Sequence, residues 1–320
     1  MGKINAVMRH YCSDRRKFAD LFNGILFNGE EVIQCNELLE GSEVYSEPDE
    51  PEDTDECRQY IERTRDMKMI SVGGTAFCIY AIENQNSVDY SMPLRCMQYD
   101  VMQYQKQLQE IKRKNEATGD YGNGAEKLCQ VKKRDRLWPT YTVCIYLGED
   151  KWDGPRCLKD MMDFGDVSER VKEQFADYQF RLFCVNEEQD FSVFHTSVRL
   201  VFELMPYRKS KKRLLEKLEE NVLYEKMDAE SLELLSVLLN VPAIWKNREK
   251  YMKKTEDKEE YNMCQAIREL IEDGKLEGRA EGKIDMLFEL VRDGLLSLEN
   301  AAKKANFTVD EFKKRMSSTK

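Results

Sequence analysis

The sequence predicts an α/β domain over residues 1–205, followed by a wholly helical region. Up to about residue 205, short β-branched and aromatic runs interleave with helical patterns, as in a compact α/β domain. Beyond that point the apolar spacing is helical throughout. Between two β-rich runs, 65–72 and 75–85, stands Gly73-Gly74, a hairpin signal.

The elements follow in order. Residues 14–26 read as an amphipathic helix, with Phe18, Leu21, Phe22, Ile25 and Leu26 at helical spacing. The acidic segment 30–56, with Pro48 and Pro51 in its most charged part, reads as an exposed loop. After the hairpin and a turn, Pro93 opens a long helix to about Glu116, since proline suits the first helical position. Residues 117–134, rich in Gly and Lys, read as irregular. Trp138–Leu147 reads as a buried strand, 152–155 as a turn and Tyr178–Val185 as a last strand.

Segments 209–226, 228–240 and 243–253 read as short packed helices, which makes 206–255 a helical extension. Residues 256–320 then hold a long helix from Glu259 and two short ones. Gly274, Gly278 and Gly282 share one face of the long helix, although each costs about 1 kcal/mol relative to Ala. That stripe fits either a homodimer contact through the C-terminal helix or a solvated linker. Ser297 opens the first short helix, and Thr308-Val309-Asp310-Glu311 is a capping box for the second. The pair fits a helix-turn-helix reader or a small docking unit. The docking unit is preferred, because no basic recognition face follows.

Composition excludes several classes. Of 320 residues, 41% are apolar and 34% charged, and no run approaches the roughly 20 apolar residues of a membrane span. The first ten residues lack the apolar core of a secretory signal, so a cytoplasmic protein without membrane contact is expected. Ten cysteines are scattered, the closest two 13 apart, and there are only two histidines. Zinc ribbons are therefore excluded and reduced thiols expected. Net charge is −10, yet residues 30–56 carry twelve acidic side chains and no Lys or Arg, which leaves +2 elsewhere. Basic runs at 15–17, Lys112-Arg113-Lys114, Lys132-Lys133-Arg134 with Arg136, and 208–213 leave phosphate binding open.

Pairing of the hairpin brings Asp66 and Glu83 to one end of the sheet, with Gln85 just beyond. Converging carboxylates suit a hard cation such as Mg²⁺; alternatively Asp66 caps a strand and Glu83 is solvated.

Ile82-Glu83-Asn84-Gln85, then Asp89-Tyr90-Ser91-Met92-Pro93-Leu94-Arg95 and Tyr99, resemble the signature segment of the Rpn family of recombination-promoting nucleases, also described as transposases with a YhgA-like domain. Phe18–Asn23 and Tyr146–Pro155 agree with it, and the 274–283 run is similar to the tails of these proteins. The resemblance covers 14–205 well and the tail more loosely. It implies a PD-(D/E)XK, restriction-endonuclease-like core, a mixed sheet flanked by helices. The motif acids then fall on Asp66 and Glu83. The third position, lysine in most nucleases of this fold, falls on Gln85, as is common in this family. Asn84 departs from the apolar residue usual between them, and Asp20 is a further carboxylate on the first helix, with a solvated or capping role as its alternative.

The implied chemistry is phosphodiester hydrolysis of DNA with Mg²⁺, or Mn²⁺, held by Asp66, Glu83 and the Asn84 carbonyl. Gln85, neutral where lysine is charged, would orient water. The runs 112–114 and 132–136 would hold flanking phosphates. Arg95 and Tyr99 would pin the following helix or touch the scissile phosphate; pinning is preferred. Two other readings stand beside this one: a weakened nuclease scaffold acting as a DNA- or protein-binding regulator, with the acidic segment covering the site, and a strand-transferring transposase.

Overall fold

The computed structural model describes residues 3–40, 44–48, 60–64, 67–71, 75–82, 88–187, 189–254 and 258–318. Helices α1 (Lys3–Cys12) and α2 (Arg15–Phe27) meet at Asp14, whose carboxylate accepts from the Arg16 backbone N–H at 2.8 Å and caps α2. Phe18, Leu21 and Phe22 are buried, as their spacing predicts. Helix α2 ends where Asn28 turns left-handed, with φ of 53°.

Strands β1 (Leu38–Glu40), β2 (Val44–Pro48), β3 (Tyr60–Thr64), β4 (Met67–Ser71) and β5 (Ala76–Ile82) follow. The acidic segment is therefore not a loop throughout. Strand β1 pairs antiparallel with β4; its Leu38 is fully buried, and Leu39 and Glu40 are exposed, which keeps the carboxylate in water. Strand β2 pairs with β3 in a separate hairpin. Acidic residues are compatible with a strand when they occupy its wet face.

Helix α3 (Met92–Thr118) runs from the predicted proline, and Gly119, with φ of 64°, stops it. A short helix, α4 (Gly124–Cys129), interrupts the stretch expected to be irregular, because Asn123 caps it by accepting from Glu126 N–H. Strand β6 (Thr140–Tyr146) is shorter than the predicted run, and Trp138 and Tyr141 are about half exposed. After α5 (Glu169–Lys172) comes β7 (Arg181–Cys184). The main sheet has the order β1-β4-β5-β6-β7, antiparallel as far as β5 and parallel from β5 to β7.

The helical region comprises α6 (Val198–Leu204), α7 (Lys211–Glu219), α8 (Ala229–Leu238), α9 (Pro242–Lys246) and α10 (Arg248–Tyr251). The hairpin β8 (Met252–Lys254) and β9 (Glu259–Tyr261) occupies a stretch read as helical, and Tyr261 exchanges backbone bonds with Met227. The long helix α11 (Met263–Arg292) therefore starts four residues late; α12 (Leu298–Lys304) and α13 (Val309–Ser318) follow.

Side chains of β6 alternate between two cores. Val143 and Ile145 enter the main one, which runs from Tyr11 and Phe22 through Met69 to Phe202, Leu235 and Ile267. Cys144 and Tyr146 enter a second, with Met92 and Cys96 of α3, Trp152 and Phe180. Buried Lys17 joins α2 to α8 through Asp228 at 3.1 Å and Glu230, with its ammonium over the Tyr11 ring. A third core, around Phe288 and Phe312, belongs to the C-terminal helices.

Candidate active site

Asp66, Glu83, Asn84 and Gln85 lie outside the described residues. What the structure gives is the frame on either side of them. The hairpin predicted from Gly73-Gly74 is present: β4 pairs with β5, Met67 stands opposite Ile79, and Ser71 N–H bonds Thr75 O at 2.8 Å to close the turn. Ile82 lies three residues past that register point, roughly 10 Å along the strand. It stands opposite Tyr146 of the parallel strand β6. Met67 and Ile82, the sequence neighbours of Asp66 and Glu83, thus occupy one end of the sheet. This is the carboxyl end of β5 and β6, where sheets of this kind collect their ligands.

Polar side chains fasten that end. Asp89 accepts from Ser91 N–H at 2.9 Å, from the Ser91 hydroxyl and from the Arg95 guanidinium. Partial burial raises the Asp89 pKa, but these donors outweigh it and hold the carboxyl below its usual range. Arg95 therefore fixes the turn into α3 while keeping part of its surface in water. Tyr99 is buried against Met102. Trp152 packs edge-on to Tyr146 at 5.2 Å and donates to Gly154 O at 2.8 Å. Arg208 donates to the carbonyls of Leu147, at 2.9 Å, and Gly148, and burial lowers its pKa. Lys209 meets Asp150 at 3.0 Å.

Beneath α3 lies a polar row that sequence reasoning missed. Lys68, two positions after Asp66, is 2% exposed and donates to Gln103 Oε1 at 2.8 Å. One turn earlier on α3, buried Asp100 accepts from Thr142 Oγ1 at 2.6 Å and from Tyr178 OH. The signal was an ionisable residue inside Met67-Lys68-Met69-Ile70, where the alternation allows a buried position.

Asp20 is buried and accepts from His195 N–H at 2.8 Å, Thr196 N–H at 2.8 Å and Thr196 Oγ1 at 2.6 Å. It holds the turn ahead of α6. Among the described residues, no group of three or more Asp, Glu, His or Cys side chains is placed to hold a metal ion.

The two predicted phosphate-binding runs meet, but far from this end. Asn115 of α3 donates to Gln130 O at 3.0 Å and Asp135 at 2.7 Å, which draws loop 119–136 onto the last turns of the helix. A cleft of about 450 Å³ is lined there by Asp120, Gly122, Glu126, Lys132, Lys133 and Arg134. Lys132 is buried and turned toward Asp120, and Arg136 is tied to the Lys133 and Asp135 carbonyls. Lys112 is half-buried, whereas Arg113, Lys114, Lys133 and Arg134 are exposed. At 1.5 Å per residue these cations sit about 30 Å along α3 from Met92.

No helix among the described residues is long and apolar enough to cross a membrane. No curated protein and no solved structure matches the chain. A family model described as "Putative transposase, YhgA-like" matches residues 67–232, from the first residue of β4 into α8. The match takes in Glu83, Asn84 and Gln85 and begins one residue after Asp66. It covers more than half of the chain, which therefore belongs to the YhgA-like transposase family.

Proposed function

We propose that this chain is a metal-dependent DNA endonuclease with a restriction-endonuclease-like core, acting in recombination or on mobile elements. The observation that carries the reading is the β4–β5 hairpin running into parallel β6. It sets the sequence neighbours of Asp66 and Glu83 at one sheet end, in a segment matched by a transposase family. The donors on offer there are all oxygen: two carboxylates, the Asn84 carbonyl and the Gln85 amide. That set suits Mg²⁺ or Mn²⁺.

Asp66, Glu83 and the Asn84 carbonyl would hold the ion. When bound, it would acidify the attacking water and neutralise charge on the phosphate. Gln85 would accept from and orient that water through its amide. Arg95 keeps the turn after the site in place through Asp89. The exposed cations Arg113, Lys114, Lys133 and Arg134, about 30 Å along α3 from Met92, would meet DNA away from the cut. They contribute affinity without sequence choice.

Supercoiled plasmid with Mg²⁺ should be nicked or linearised. Chelator, Asp66→Ala and Glu83→Ala should each abolish cutting. Cutting that survives in either variant overturns the site assignment. The family description favours strand transfer as a second reading, which joined DNA products would support over plain hydrolysis.

A further inference from the structure

The C-terminal helices form a unit with its own core. Ala301 and Ala302 of α12 are buried, and such small side chains let α13 approach closely. Residues 305–308 reverse the chain, with Asn306 in the left-handed region at φ of 55° and Phe307 N–H bonding Ala302 O at 3.0 Å. Phe312 is fully buried and lies 4.7 Å, centroid to centroid, from Phe288 of α11. The capping box predicted at Thr308 and Glu311 is made in both directions. Arg292 of α11 donates to Met316 O at 2.9 Å. Arg315 stacks on Phe307 at 4.4 Å. Two helices joined by a four-residue turn and backed by a third are the elements of a helix-turn-helix.

The helical register sets exposed lysines on the outward side of α13. With Phe312 and Met316 turned inward and Arg315 on Phe307, the outward side of α13 carries Asp310, Lys313, Lys314 and Ser317, all four exposed. Lys303 and Lys304 at the end of α12 are exposed too. A slim helix offering ammonium and hydroxyl donors with one carboxylate can enter a major groove and contact phosphates and base edges.

We propose that α12 and α13, backed by the end of α11, dock on duplex DNA with α13 as the inserted helix and Lys313 and Lys314 as its main contacts. This goes beyond the nuclease reading and shares with it only the ligand. The test uses the full chain in chelator, so that cutting plays no part. Binding of a labelled 30-base-pair duplex is titrated from 50 to 300 mM KCl. Lys313→Glu/Lys314→Glu is compared with Lys246→Glu/Lys250→Glu, an equal charge change on exposed residues of α9 and α10. The first double variant should bind about tenfold more weakly and lower the salt slope by about 2. The second should keep the wild-type slope. Both should melt like wild type, because all four lysines are exposed. Equal behaviour of the two double variants, or no duplex binding by wild type, overturns the proposal and leaves α12–α13 as a protein-docking unit. Because chelator removes cutting from this measurement, failure of the nuclease reading is seen separately, in the plasmid assay.

Discussion

The Lys68 ammonium on β4 donates to Gln103 Oε1 on α3 at 2.8 Å, and both residues are almost wholly buried. This bond ties the helix that follows the candidate site to the strand that precedes it. Lys68→Met keeps the length of the side chain but deprives the Gln103 carbonyl of this donor. Loss of about 1–3 kcal/mol is expected in urea unfolding. Combining Lys68→Met with Gln103→Leu in a double-mutant cycle should give a coupling of about 1 kcal/mol between the two side chains; a coupling of zero would show that the bond contributes nothing.

Much of this frame was legible in the sequence. The hairpin followed from Gly-Gly between two β runs, and α3 from Pro93 ahead of an amphipathic pattern; both are local signals. Strand β1 and the β8–β9 hairpin were not, because three-residue strands carry too little periodicity and exist through pairing with distant partners. The role of Asp20 was equally hidden, since its donors lie 175 residues away. The positions of the basic runs were clear, but not that α3 carries them a helix length from the candidate site. Asp66 and Glu83 were singled out by the pairing of the hairpin, and their motif roles, with that of Gln85, were read by resemblance.

Asp20→Asn leaves one acceptor oxygen where the carboxylate serves three donors of His195 and Thr196. We expect a loss of about 1–3 kcal/mol in stability. Manganese uptake per folded molecule should not change. A drop in uptake without destabilisation would instead make Asp20 a metal ligand.

Acid should act partly through Asp228. Burial raises its pKa, but the Lys17 ammonium and hydrogen bonds from Ser231 more than offset this and hold it below the usual carboxylate range. A depressed folded-state value means that the stabilisation is complete above the unfolded pKa, near 3.9. It is lost as pH falls from there through the folded value. The urea midpoint of wild type should therefore drop more steeply than that of Asp228→Asn between about pH 4 and pH 2. Parallel curves would exclude this contribution.

The acidic segment bears on DNA affinity. Since β2 ends at Pro48, the charge is best removed without cutting the chain. Replacing Asp49, Glu50, Glu52, Asp53, Asp55 and Glu56 by their amides should raise DNA affinity at 50 mM salt by about tenfold and far less at 300 mM, as screening requires. Unchanged affinity at low salt would remove the idea that the segment competes with DNA.

The central claim is that Asp66 and Glu83 together hold a divalent cation at the end of the sheet. Titration calorimetry of Mn²⁺ into the chain with uncut duplex present measures this directly. One or two ions per chain, with uptake lost in Asp66→Ala and in Glu83→Ala, is the expected result. No uptake by wild type, or undiminished uptake by either variant, would contradict the claim.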